Sequence, residues 1–138
     1  MTDLKIHHLG VAVADIEQAL KFYQQAFGFV VRSGPFDDPI QRVRVCFLGP
    51  AQGTDSAIEL IEALSDDSPI TRTLAKGIGA YHICCEVDDL TPTVAALLQQ
   101  GCTLVNPPVP ATAFGGRRIA WFFTPTNHLM EIVERRPA

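Results

Sequence analysis

A chain of 138 residues is the length of one domain at about 100–200 residues per domain, and it can bury a real hydrophobic core without metal or disulfide staples. Apolar residues make up 47% and charged residues 19%, which excludes a disordered or fibrous chain. A formal charge of −4 with no basic run offers no footprint for a phosphate backbone, so nucleic acid is not an expected partner.

Met1-Thr2-Asp3 does not read as the start of a signal peptide. The longest apolar runs, such as Ile119 to Phe123, fall far short of the ~20 residues a membrane span needs. The expectation is a cytoplasmic protein with no membrane partner. From the first strand-like run the chain enters a helix-like stretch, Asp15 to Phe27, with Asp15 as N-cap and Gly28 as the stop. A short apolar run, Phe29-Val30-Val31, is followed by a loop rich in Pro and Gly, then strand-like runs at Arg42 to Leu48 and Ala57 to Glu62. Asp66, Asp67, Pro69, Gly77 and Gly79 mark a linker at about residues 65–79.

The order then repeats. His82-Ile83-Cys84-Cys85-Glu86-Val87-Asp88-Asp89-Leu90 overlays His8-Leu9-Gly10-Val11-Ala12-Val13-Ala14-Asp15-Ile16 at an offset of 74 residues. A helix-like stretch, Thr91 to Gln100, takes Thr91 as its N-cap and stops at Gly101. Cys102-Thr103-Leu104, a Pro- and Gly-rich loop, and runs at Arg118 to Thr124 and Leu129 to Glu134 complete the second copy. Ile58-Glu59-Leu60 matches Met130-Glu131-Ile132 at an offset of 72, a drift that two one-residue deletions explain. Each half reads as one strand, one helix and three strands, too few strands to bury an apolar face alone, so the halves are expected to pack together. The prediction is one α+β domain over residues 5–135, with pseudo-repeats of about 5–64 and 80–135. Its mixed sheet is expected to be curved and partly closed, with the helices outside. Cys46, Cys84, Cys85 and Cys102 form no C-x-x-C pair and are expected to be reduced and mostly buried.

Strand side chains alternate faces, so Leu9, Val11 and Val13 share the helix side, leaving His8, Gly10 and Ala12 opposite with open space above His8. His82 takes the equivalent place in the second half. Glu59 and Glu131 each stand inside an apolar strand, where a carboxylate is costly to desolvate unless paired, hydrogen-bonded or metal-bound. Taken singly, a strand histidine is usually a hydrogen-bonded core residue and a strand glutamate a solvated one. Their recurrence at matching positions changes that reading, since a pseudo-twofold axis would bring equivalent residues together. Two imidazoles and two carboxylates suit a divalent first-row metal with remaining positions open. The candidate ligands are His8, Glu59, His82 and Glu131. His7 faces the other way and is matched by Tyr81; Glu62 lies on the opposite face from Glu59; Glu86 is matched by Ala12. His128 lies in the turn before the last strand, and Arg42, Arg44, Arg117 and Arg118 are read as solvated strand-end residues.

These residues resemble the vicinal oxygen chelate superfamily, the glyoxalase and methylmalonyl-CoA epimerase group, over residues 5 to 135. Ile6-His7-His8-Leu9-Gly10-Val11-Ala12-Val13 is similar to the epimerases' opening strand, and Ala80-Tyr81-His82-Ile83-Cys84-Cys85-Glu86-Val87 to their second histidine motif. Ile58-Glu59-Leu60-Ile61-Glu62 followed by Asp67-Ser68-Pro69-Ile70 resembles their acidic strand, and Gly115-Gly116 before Ile119 also fits. The turn Thr124-Pro125-Thr126-Asn127-His128 departs from the epimerase pattern and is similar to the turn of glyoxalases.

The resemblance implies a substrate that chelates a divalent ion (Co, Ni, Zn, Mn or Mg) through two neighbouring oxygens while a proton beside a carbonyl is removed. A fourth protein ligand, Glu59, speaks against an Fe(II) dioxygenase, whose sites take two His and one carboxylate. The expected function is a metal-dependent epimerase acting on an acyl-CoA thioester such as methylmalonyl-CoA. The alternatives are a glyoxalase I-type lactoylglutathione lyase acting on a hemithioacetal, and a small-molecule-binding protein of the bleomycin-resistance kind. Glu131, beside the short turn bearing His128, is the expected base. A homodimer is also expected, with the site closed within one chain or across the pair.

Overall fold

The computed structural model describes residues 4–77 and 79–135. The expectations placed on Met1-Thr2-Asp3, and on Ile78 within the linker, lie outside the described residues. In chain order the elements are β1 (Lys5–Ala12), α1 (Ile16–Phe27), β2 (Val30–Asp38), β3 (Val43–Gly49), β4 (Ile58–Ala63), α2 (Pro69–Ala75), β5 (Ala80–Val87), α3 (Leu90–Gln99), β6 (Thr103–Pro110), a 3-10 turn (Thr112–Phe114), β7 (Arg118–Phe123) and β8 (Leu129–Glu134). This is the expected α+β fold: strand, helix and three strands, twice. The chain divides into two compact units, one of His8–Tyr81, the other beginning at His82 and taking in the start of β1 up to His7.

In the first unit the strand order is β2-β3-β4-β1. β1 runs parallel to β4, with Gly10 opposite Glu59, and the other pairings are antiparallel. Helix α1 packs Ile16, Leu20 and Tyr23 onto Val11, Val13, Leu48 and Leu60, the strand side assigned to it by alternation. Burying an Ile or Leu here stabilises the fold by about 1.5–3 kcal/mol each. The Asp15 carboxylate accepts from the N–H groups of Glu17 and Gln18 at 2.9 and 3.2 Å, and Glu62 accepts from the N–H of Ile16 at 2.8 Å. Gly28 ends α1 at φ 67°, a left-handed conformation that favours glycine.

The second unit repeats this with the order β5-β8-β7-β6, β5 running parallel to β8 and Cys84 lying opposite Glu131. Helix α3 packs on Cys85, Val87, Phe122 and Ile132. Its N-cap is Asp89, not Thr91: the Asp89 carboxylate accepts from the Thr91 N–H at 3.3 Å, and Leu90, fully buried, is the first helical residue. The 74-residue offset carries Asp15 onto Asp89, and the buried residue that follows each cap anchors the first turn.

Two segments expected as loops are strand. β2 continues through Gly34-Pro35 to Asp38, and β6 includes Pro107, Pro108 and Pro110. Both are the outermost strands of their units and carry register irregularities, between Val31 and Phe36 and between Leu104 and Val109. An outer strand can hold proline because the missing N–H would have faced away from the ladder. The linker also contains α2, capped by the Ser68 hydroxyl accepting from the Ile70 N–H at 3.3 Å, with Pro69 at its first position and Ile70 fully buried. No helix among the described residues is long and apolar enough to cross a membrane.

Candidate metal centre

His8 lies on the β1 face away from α1. Parallel pairing sets Gly10 beside Glu59, and since His8 and Gly10 share a face, the imidazole and the carboxylate stand on the same side of the sheet. Gly10 has no side chain to separate them. The Nε2 of His8 is 3.3 Å from Oε1 of Glu59, with the two side chains 0% and 8% exposed. The open space expected above His8 is instead occupied by Phe47, whose ring meets the imidazole edge-on at a centroid distance of 5.1 Å.

The second unit builds the same pair. His82 and Cys84 share a face of β5, Cys84 pairs with Glu131, and His82 Nε2 lies 3.2 Å from Glu131 Oε1, both side chains buried. Trp121 stands where Phe47 does, 74 residues on, with its ring 4.7 Å from that of His82 at 84°. The antiparallel registers match as well: Phe47 is opposite Glu59 and Trp121 opposite Glu131. Each carboxylate therefore has a small residue on one flank and an aromatic one on the other, which keeps water away from it. Sequence reasoning missed Phe47 and Trp121, although the repeat offset that found the histidines also relates these two.

The donor chemistry fits a divalent cation. Charge-assisted N–H···O hydrogen bonds have N···O distances of about 2.7–2.9 Å, shorter than the 3.2 and 3.3 Å separations here. Two ligand atoms at about 2.1 Å from a common ion are about 3.0 Å apart along an octahedral edge and about 3.4 Å along a tetrahedral one. Both pairs fall between these values.

The residues set aside have other partners. Glu62 turns to the N-terminus of α1 and lies 3.8 Å from Arg44, while Arg117 reaches Glu86 at 3.5 Å. Arg44 also holds Asp37 at 2.7 Å, and its guanidinium lowers that carboxyl below the usual range. Arg118 pairs with Glu134 at 3.1 Å, the same positions as Arg44 and Glu62 in the repeat. His7 packs edge-on against Phe114 at 5.3 Å, and the exposed His128 bonds within its own turn to Thr124 and Thr126.

A family model described as the Glyoxalase/Bleomycin resistance protein/Dioxygenase superfamily matches residues 7–121, which include His8, Glu59 and His82 and stop before Glu131. The chain belongs to this superfamily. Among its relatives, the mitochondrial methylmalonyl-CoA epimerase of Dictyostelium discoideum is 31% identical over 113 residues, 80% of this chain and 66% of that protein. An ethylmalonyl-CoA/methylmalonyl-CoA epimerase of Cereibacter sphaeroides is 30% identical over 83% of this chain and 84% of its own length. The crystal structure of methylmalonyl-CoA epimerase from Mycobacterium tuberculosis superposes with a TM-score of 0.82 at 29% identity, covering 96% of this chain and 88% of that one. Against the mitochondrial epimerases of D. discoideum, Bos taurus and Mus musculus, this chain spans only 66%, 62% and 51% of their length.

Proposed function

We propose that the protein is a metal-dependent epimerase that removes and returns the proton α to the carbonyl of an acyl-CoA thioester of the methylmalonyl class. In this reading residues 5–135 act as one domain, and His8, Glu59, His82 and Glu131 together hold a single divalent ion. The observation that carries it is the duplicated buried His–Glu pair, at 3.3 Å in one unit and 3.2 Å in the other. The relatives named as epimerases of such thioesters add the substrate class.

The chemistry a divalent cation supplies when bound is stabilisation of negative charge developing on a carbonyl oxygen. The remaining work falls to the chain. His8, His82 and Glu59 fix the site, each held by a strand backbone and two of them braced by rings. The Glu131 carboxylate accepts the α proton: the C–H bond breaks, an O–H bond forms on the carboxylate, and the electron pair left behind delocalises toward the thioester oxygen. The α carbon becomes planar and loses its configuration; a water molecule donates a proton to the opposite face to yield the epimer, and the hydroxide left behind takes the proton from Glu131, restoring the carboxylate. Burial of Glu131 limits competing hydration of the carboxylate.

The deciding experiment is proton exchange in D₂O, with methylmalonyl-CoA beside the hemithioacetal of methylglyoxal and glutathione. Deuterium entering the α position of methylmalonyl-CoA supports the proposal. Turnover of the hemithioacetal alone assigns the protein to the glyoxalase reaction instead.

A further inference from the structure

The two βαβββ modules align element by element, at an offset that drifts from 74 to 72 residues, so each is a size standard for the other. Beneath α1, Tyr23 and Phe29 stack at 6.0 Å and both pack on the core of Ile16, Leu20, Leu48 and Leu60. At the corresponding places beneath α3 stand Leu97 and Cys102, and the only ring gained is Phe122 where the first module has Leu48. Cys85 in place of Val11 and Ala120 in place of Cys46 shrink the second core further, while Met130 for Ile58 changes little. Two rings are lost and one is gained. The second core is short of about one ring.

The deficit is visible as a cavity of about 120 Å³ between α3 and the strands β5, β7 and β8. Its walls include Cys85, Leu97, Cys102, Phe122, Met130 and Ile132, and no charged side chain lines it. The hydroxyl of Thr93, also on the wall, donates back to the carbonyl of Asp89 at 2.8 Å, so it offers little to a polar guest. Leu4 and Gln100, both exposed, also border the cavity. A space of this size and lining does not hold water well, because a buried water needs two to four polar partners. A charged guest would lose hydration with nothing to replace it. Cys85 and Ile132 face the cavity, whereas His82 and Glu131 project from the opposite side of the same strands.

We propose that this cavity is a binding site for a small, uncharged apolar molecule about the size of one aromatic ring, on the back of the strands that carry His82 and Glu131. The site is separate from the candidate metal centre, and its test does not depend on the epimerase reading.

Benzene is the probe, with benzoate as the charged control, added to the full chain. Near-saturating benzene should raise Tm by about 3–5 °C. It should also shift the methyl NMR signals of Leu97, Met130 and Ile132, while benzoate does neither. The double variant Leu97→Tyr with Cys102→Phe transplants the side chains of the first module. It should melt higher than wild type without benzene and bind benzene at least tenfold more weakly. Should the double variant fail to fold, Cys102→Leu, a milder filling, is expected to reduce the benzene shift. The proposal is overturned if those wild-type methyl signals do not move under saturating benzene, if benzoate moves them equally, or if a folded, filled variant binds benzene as well as wild type.

Discussion

Glu59 and Glu131 share their surroundings, each with an imidazole nitrogen at about 3.2–3.3 Å, a small residue on the parallel flank and an aromatic one on the antiparallel flank. The proposal nevertheless gives them different work. Glu131→Gln should leave the fold intact while proton exchange on methylmalonyl-CoA falls by about 10²-fold or more, the usual scale for losing a general base. Glu59→Gln should cost less, because an amide oxygen still ligates and no proton is asked of it. A reversed order of the two losses exchanges the roles. Glu134 is a structural carboxylate. Burial by itself raises its pKa, but the side-chain and backbone hydrogen bonds from Arg118 outweigh this and hold it below the ordinary carboxylate value. A lowered folded-state pKa means stability that is present above the unfolded value of about 4.3 and is lost as pH falls through the folded value. Glu134→Gln should therefore have a lower urea midpoint than wild type at pH 7, with the difference closing as pH drops toward 3. A difference that stays constant over that range contradicts the ion-pair assignment.

At the level of elements, the helix ends separate what can be read locally from what cannot. Gly28 caps the end of α1 as its residue type predicts, Gly101 at φ 92° follows the Gln100 cap of α3, and Asp15 caps α1 where expected. The cap of α3 sits two residues before the expected Thr91, because the buried Leu90 must enter the first turn to reach the core. Asp89→Ala should cost about 1 kcal/mol in unfolding free energy, the usual loss for an N-cap. Thr91→Ala should stay within about 0.5 kcal/mol. A larger loss for Thr91→Ala than for Asp89→Ala in urea titration would return the cap to Thr91. The outer strands β2 and β6 teach a related lesson. Their prolines argue for loops when only the sequence is considered, and become acceptable once the strand has a neighbour on one side alone.

For the molecule as a whole, the proposal has one ion drawing ligands from both halves of the repeat, and binding to the native state alone raises stability by mass action. Dialysis against a chelator should lower Tm by several degrees and abolish proton exchange, and added divalent ion should restore both; a Tm indifferent to chelator and ion speaks for a metal-free binding protein. Much of the architecture was legible from the chain. The 74-residue offset between His8 and His82, the period-2 alternation around them, and the glycine stops depend on residues close in sequence, so local chemistry suffices to read them. The α2 helix was not read from the chain: Ser68-Pro69 is a start signal, but the acidic and glycine-rich context made the segment look like a linker. Other features rest on which strands become neighbours, a choice made by packing of segments some 50 residues apart. Only the tertiary structure paired Gly10 with Glu59 and Cys84 with Glu131, and so set each imidazole beside a carboxylate. It also placed the rings of Phe47 and Trp121 against the two histidines, and left the space of one ring beneath α3. The sequence by itself determined which residues recur and which face of a strand they occupy, because both follow from backbone periodicity; what each recurring residue touches was decided by long-range strand pairing and side-chain volume.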